Sequence, residues 1–185
     1  MAPVDHRPPE PVQAAQPDTR LDLGRIRKAS QEISRAFRDS PQLLGGSALA
    51  TGVGHVFKSL SPATEVLCVQ PKGAPAMALS WRARAVVTTA RTHTMADGVA
   101  GRFPIPAVLR DLLATAGHVP LVEEESIVAG MRVLYRNAAL VVQPSAALGV
   151  AAILEDPLRY RGKRVAAVIC GSTVWSDPSS AWMKE

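Results

Sequence analysis

The stretch LLGGSALATG at residues 43–52 holds three glycines, a serine and a threonine among small apolar residues. Sequence with helical periodicity lies on both sides of it, so the stretch predicts a glycine-rich turn that opens a helix. Backbone N–H groups at such a turn can bind a phosphate, because glycine lets the chain approach the phosphate oxygens closely. An ordinary tight entry into a helix has the same composition. The stretch alone leaves both interpretations open.

Two further segments could contribute to a site for a small ligand. The segment VQPKGAPAM at 69–77 follows a predicted strand, and ICGSTV at 169–174 ends another. In an open parallel sheet, ligands bind beyond the carboxyl ends of the strands. We therefore expect these two segments and the glycine turn to lie near one another at one edge of a sheet.

The histidines and cysteines do not have the spacing of a transition-metal site, since no CxxC or HExxH motif is present. Cys68 and Cys170 each lie inside an apolar run, which predicts reduced and buried thiols rather than a disulfide. The histidines have no partner in sequence that would suggest a catalytic role; they are His6, His55, His93 and His118.

Helical and strand-like segments alternate along most of the chain. A proline-rich arm over 1–18 is predicted to be disordered, and a helix is predicted over 19–40. Buried strands are predicted at 64–71 and 164–174 and a short strand at 118–124. Helices are predicted at 50–60, 75–86, 103–116, 124–140 and 143–156. This alternation predicts an α/β fold with an open, mostly parallel sheet and helices on both faces.

The amino-acid composition limits the classes of partner that the chain is expected to bind. The chain of 185 residues has a net charge of +5 from scattered arginines, and only 4% of its residues are aromatic. Nucleic-acid-binding proteins usually cluster such charge, so no nucleic-acid partner is predicted. No apolar run is long enough for a membrane span, and no secretory signal is apparent, so the expected location is the cytoplasm.

From residue 45 to about 174 the chain resembles the C-terminal half of the pyridoxal-phosphate-dependent threonine/serine dehydratases, a branch of the tryptophan-synthase-β-like, fold type II enzymes that includes serine racemase. The resemblance implies a truncated cofactor domain over 41–175, a C-terminal tail over 176–185, pyridoxal phosphate as cofactor and an amino-acid substrate. It is carried by GGSALATGVGHVFKSLSPATEVLCVQPKGAPAM, MADGVAGRFP, LVEEESIVAGMRVLYRNAALVVQPSAALGVAAIL and GKRVAAVICGSTV.

The resemblance also implies which residues meet the cofactor. The family's glycine-rich phosphate loop aligns with residues 45–49, where two of its four glycines are replaced. Cys170 resembles the residue that hydrogen-bonds the pyridine nitrogen, Gln143 stands where the family has a glutamate near the ring, and Gly98 lies in a loop beside the cofactor. The implied cofactor-binding residues are Gly45, Gly46, Ser47, Ala48, Leu49, Gly98, Gln143 and Cys170.

Two other motifs concern a metal site, which is predicted to be absent, and a helix start. Gln70 and Ala76 stand where some family members bind a divalent cation through carboxylates, so no metal site is predicted. The acidic run at 123–125 matches a helix start in the family and is interpreted as a solvated cap.

The lysine that forms the Schiff base in this family lies in a long stretch that is missing here, between the first helix and the glycine loop. None of the chain's lysines lies in the matching motif, so no catalytic residue is assigned; they are Lys28, Lys58, Lys72, Lys163 and Lys184.

Three functions remain open at this point. The chain could be a threonine/serine ammonia-lyase homologue that is impaired or inactive alone. It could be a non-catalytic remnant, a pseudoenzyme that binds a full-length relative, or it could be a module that binds a phosphate ligand. The missing strands would leave apolar sheet surface uncovered, which predicts a homo-oligomer or association with a full-length homologue.

Overall fold

A computed structural model describes residues 48–171, which hold a small parallel sheet and the helices around it. The elements in chain order are α1 Ala48–Leu60, β1 Gln70–Pro71, α2 Ala76–Ala83, a 3₁₀ turn Asp97–Val99, α3 Pro106–Thr115, β2 Leu121–Val122, α4 Glu124–Ala138, a 3₁₀ turn Pro144–Ala147, α5 Leu148–Glu155 and α6 Pro157–Tyr160. The predicted arm at 1–18, helix at 19–40 and tail at 176–185 lie outside the described residues.

The two strands are parallel, and they are short because Pro120 interrupts the hydrogen bonding between them. Gln70 lies opposite Leu121, and an isolated parallel bridge joins Leu67 to His118. Between these two pairings stands Pro120, which accepts a bond from the Gln70 N–H at 3.0 Å but has no N–H of its own to donate. The predicted strands at 64–71 and 118–124 therefore exist only as this interrupted ladder.

Successive strand residues pack into two different hydrophobic clusters. Val69 and Val122 contact a cluster that includes α4 and α5 residues. Cys68, Val119 and Leu121 belong to the other cluster, which holds residues of α2 and α3. Because neighbouring side chains of a strand point to opposite faces, helices cover both faces of the sheet. The predicted α/β class and its layered arrangement are confirmed.

The predicted buried strand at 164–174 is wrong for its described part, 164–171. These residues form no strand, and Val165 and Val168 are about half exposed, at 47% and 56%. A strand needs a hydrogen-bonded neighbour, and within residues 48–171 the only strands pair with each other. Ile169 alone of this run packs against the α4/α5 cluster.

The cysteines are free, as predicted, but both are half-buried rather than fully buried. The Cys68 side chain packs against the α2/α3 cluster on one face of the sheet. Burial raises the pKa of its thiol to about 11. Among the described residues, none of the helices is both long and apolar enough to cross a membrane.

Candidate cofactor site

Three of the positions that the family resemblance implies as cofactor contacts, Gly98, Gln143 and Cys170, lie close together in the structure. The first 3₁₀ turn carries Gly98, and a Cβ built on this glycine would lie 3.1 Å from Ser145 Oγ. Two residues before that serine, the peptide N–H of Gln143 donates to the carbonyl oxygen of Gly171 at 3.2 Å. The structure therefore brings Gly98, Gln143 and the Cys170–Gly171 pair to one region.

A shared core holds these three segments in place. Ala96, two residues before Gly98, is fully buried in the α4/α5 cluster. Val142 precedes Gln143 and is buried in the same cluster, and Ile169 precedes Cys170 and packs against it. Each candidate residue thus follows an apolar residue anchored in one common core, which fixes the relative positions of the three backbone segments.

Gly171 and Gln143 are in especially close contact. Gly171 has a φ of +118°, a backbone conformation that residues with a side chain rarely adopt. A Cβ on this residue would overlap the side-chain amide nitrogen of Gln143, and the amide carbon Cδ would be only 2.6 Å away. The amide of Gln143 therefore lies against a backbone position that strongly favours glycine.

Glu124 is a residue whose role sequence reasoning missed. Its Oε2 accepts a hydrogen bond from the Met95 N–H at 2.8 Å, and its Oε1 is buried without a partner among the described residues. The interpretation of 123–125 as a solvated cap is therefore wrong for Glu124, although it stands in the first turn of α4. The carboxylate ties the loop before the Gly98 turn to α4.

Gln70, which stands where some members of the resembled family have a cation ligand, has a structural contact. Its Oε1 accepts a hydrogen bond from the Ala78 N–H at 2.8 Å. Helix α2 begins after Pro75, which offers no side-chain cap, so Gln70 satisfies an N–H of the first turn from outside the helix. In the part of the chain that the structure describes, no group of three His, Cys, Asp or Glu side chains could hold a metal ion. The absence of a metal site stays a prediction.

Replacing Gln70 with alanine is expected to lower the free energy of unfolding by about 1 kcal/mol, because the Ala78 N–H loses its acceptor. The variant Gln70→Glu keeps an oxygen in the same place and is expected to retain more of the stability. Urea denaturation followed by circular dichroism measures both. Equal losses in the two variants would contradict a capping role.

The glycine-rich turn itself lies at the edge of the described residues. Gly45, Gly46 and Ser47 fall outside them, while Ala48 and Leu49 form the first turn of α1, and Leu49 is 38% exposed. The prediction that a helix opens directly after the glycines is confirmed. Whether the turn binds phosphate is untested.

Every lysine in the described part is exposed. Lys58 lies on the exposed end of α1 and Lys163 in the loop after α6. Lys72 pairs with Glu123, whose hydrogen bond raises the pKa of the lysine. A lysine that attaches pyridoxal phosphate needs a desolvated pocket that lowers its pKa. The structure thus brings together the described residues that the resemblance implies around the cofactor ring, and within residues 48–171 no lysine lies in such a pocket.

Comparisons with known proteins agree with the resemblance. The profile of the family described as "Pyridoxal-phosphate dependent enzyme" matches residues 23–171. The chain is 34% identical over 128 residues to the biosynthetic L-threonine dehydratase IlvA of Bacillus subtilis, a match that covers 69% of this chain and 30% of that protein. It is 33% identical over 147 residues to serine racemase of Arabidopsis thaliana, covering 75% and 43% of the two chains.

Solved structures show the same similarity in three dimensions. The crystal structure of the T.th. threonine deaminase superimposes with a TM-score of 0.67 at 26% identity, over 80% of this chain and 55% of that one. Maize serine racemase superimposes with a TM-score of 0.67 at 25% identity, over 85% and 49%. The chain spans less than half the length of the curated relatives named above.

Proposed function

Because the chain belongs to the pyridoxal-phosphate-dependent enzyme family, we propose that it is a threonine/serine ammonia-lyase homologue that binds the cofactor without a covalent bond and does not turn over an amino acid alone. The observation that carries the proposal is the meeting of Gly98, Gln143 and Cys170 in a region anchored by one core, while each described lysine is exposed.

When bound, pyridoxal phosphate supplies an electron sink for bond cleavage at the α-carbon of an amino acid. In this proposal, the thiol of Cys170 is the partner of the pyridine nitrogen, and the amide of Gln143 orients the ring from the side. Gly171 leaves free the space that this amide occupies, because a Cβ there would overlap it. No described lysine is placed to remove the α-proton, so the chain binds and orients but lacks its usual base.

Mixing the purified chain with pyridoxal phosphate, L-threonine and L-serine tests this proposal. We expect the cofactor to raise the melting temperature, because a ligand that binds only the folded state stabilises it. After borohydride reduction, mass spectrometry is expected to find no cofactor attached to a lysine, and no 2-oxo acid is expected to form. A full-length threonine dehydratase treated in parallel is the positive control.

Each contrary result has a distinct meaning. A cofactor–lysine adduct, or formation of 2-oxo acid by this chain alone, would overturn the proposal that it lacks covalent attachment and turnover. Stabilisation by inorganic phosphate equal to that by pyridoxal phosphate would instead identify a phosphate-binding module. No stabilisation by either compound would overturn cofactor binding.

Pairing with a longer relative is a second candidate function, and it has its own structural support. Residues 164–171, where the sequence predicts a strand, form none and have no strand neighbour among the described residues, and the match covers only 30% of the Bacillus subtilis dehydratase. A relative, or a second copy of the chain, could supply the neighbouring strand. Light scattering after gel filtration, with and without a full-length dehydratase, measures this: a complex supports pairing, and two unshifted peaks contradict it.

A further inference from the structure

A cavity of about 400 Å³ lies beside β2 and shares no residue with the candidate cofactor site. It is lined by backbone and side chains of the strand and by charged side chains from the loop after β1 and from helices α2, α5 and α6. The lining residues that matter here are Lys72, Arg82, Leu121, Glu155, Asp156 and Arg159. We refer to it as the edge cavity.

The edge cavity follows the outer edge of β2. The ladder with β1 uses the carbonyl groups of Pro120 and Val122, which accept from the N–H groups of Gln70 and Lys72 at 3.0 and 2.8 Å. In a parallel pair, the residue between two such partners directs its own N–H and C=O away from the neighbouring strand. The peptide groups of Leu121 therefore face outward, on the side of the cavity.

Side chains close this edge on either side of Leu121. Arg82 Nη2 donates to the carbonyl oxygen of Val119 at 3.2 Å, and Glu155 Oε1 accepts the N–H of Glu123 at 2.7 Å. Within residues 48–171, the N–H and C=O of Leu121 itself have no such partner. The edge is thus closed to an added strand but open to one molecule the size of a single residue.

The charges around Leu121 are of both signs. Three cationic side chains and two carboxylates line the cavity. Arg159 Nη2 pairs with Glu65 at 2.8 Å, while Arg159 Nε is buried without a hydrogen-bond partner in the described residues. The Arg159 side chain is 31% exposed overall, so other donors of its guanidinium remain open to an acceptor in the cavity.

We propose that the edge cavity binds a free α-amino acid in its zwitterionic form. The carboxylate accepts from the Leu121 N–H and from the guanidinium of Arg159, and the ammonium donates to the Leu121 C=O and to the carboxylates of Glu155 and Asp156. A phosphate dianion would face Glu155 and Asp156 with no positive group to pair with them, whereas a zwitterion brings an ammonium, so phosphate is expected to bind less well. The volume is sufficient for a small ligand. This site functions without pyridoxal phosphate.

Titration of the cofactor-free chain with L-threonine tests the proposal directly. Calorimetry measures the affinity, and ¹⁵N–¹H spectra report the backbone amide of Leu121. We expect a saturable shift of that amide. Propionate and propylamine each lack one of the two charges and are expected to bind about tenfold or more weakly, as a lost charged hydrogen bond implies.

Three variants separate the site from its surroundings. Arg159→Gln is expected to weaken L-threonine binding about tenfold or more. Lys163→Gln removes an exposed cation that does not line the cavity and is expected to bind as the unaltered chain does. Glu65→Gln removes the ion-pair partner of Arg159 but keeps the guanidinium, so its loss of affinity is expected to be smaller than that of Arg159→Gln. Should Arg159→Gln fail to fold, the Leu121 amide of the unaltered chain decides the matter.

Several results would overturn the proposal. These are an unmoved Leu121 amide at saturating L-threonine, equal binding of propionate and L-threonine, undiminished binding by folded Arg159→Gln, or stronger binding of inorganic phosphate than of L-threonine. None of them bears on cofactor binding, which is measured separately.

Discussion

Replacing Gly73 with alanine is expected to destabilise the chain by about 3 kcal/mol, at the upper end of the usual cost of overpacking. A Cβ on Gly73 would overlap the carbonyl oxygen of His93 and come within 2.6 Å of its carbonyl carbon. The obstacle is backbone, which cannot rotate away as a side chain does. The same two residues are also joined by a hydrogen bond from the His93 N–H to the Gly73 oxygen at 2.8 Å.

The consequence extends toward the candidate cofactor site. To admit the methyl group, the loop that contains His93 must move, and this loop is also held by Glu124 through the Met95 N–H. It leads directly into the turn that carries Gly98. We therefore expect Gly73→Ala to loosen the turn as well as lower the free energy of unfolding.

Chemical denaturation with Gly52→Ala as the matched control measures this effect. Gly52 lies inside α1, and a Cβ there would meet nothing within 4 Å. Alanine at that position is expected to stabilise the chain by about 0.5–1 kcal/mol, because glycine is unfavourable inside a helix. If Gly73→Ala unfolds at the same denaturant concentration as the unaltered chain, the close approach to His93 is refuted.

Replacing Gly171 with alanine is the second change with a large expected effect. The φ of +118° costs a residue with a Cβ about 1–3 kcal/mol, and the new methyl group would displace the side-chain amide of Gln143. In the proposed function, the Gln143 amide orients the cofactor ring. Displacing it is therefore expected to lower the affinity for pyridoxal phosphate about tenfold or more.

Gly162 provides a matched control for Gly171. It also has a positive φ, +74°, but a Cβ built there would meet nothing within 4 Å. Gly162→Ala is expected to lower stability through backbone strain and to leave affinity for pyridoxal phosphate unchanged. Equal weakening of cofactor binding by both variants would attribute the effect to stability and would contradict a local role of Gly171.

Periodicity in the sequence predicted the helices well, because each helix depends mostly on residues three or four positions apart. Helix α4 was predicted over 124–140 and is observed at Glu124–Ala138. The strands were predicted less well, since a strand exists only where another chain segment pairs with it. The missing N–H of Pro120 and the lack of a strand neighbour for 164–171 are both pairing effects.

The contacts of the candidate site could be predicted only in part. The resemblance indicated Gly98, Gln143 and Cys170, and their meeting depends on a core assembled from distant segments. The contacts of Gln70 with Ala78 and of Glu124 with Met95 join residues 8 and 29 positions apart, and no local pattern marks them. The requirement for glycine at position 73 could not be predicted either, because only the folded structure shows that a Cβ there would overlap the His93 carbonyl oxygen.

The exposed apolar run at 165–168 has a consequence for colloidal behaviour. It directly follows three basic residues, Arg161, Lys163 and Arg164. Positive charges beside an exposed apolar segment oppose aggregation, because copies that stack in register must bring like charges together. Dissolved salt weakens that repulsion, and at physiological ionic strength charges more than about 8 Å apart are largely screened from one another. We therefore expect the solubility of the chain to fall as the ionic strength rises.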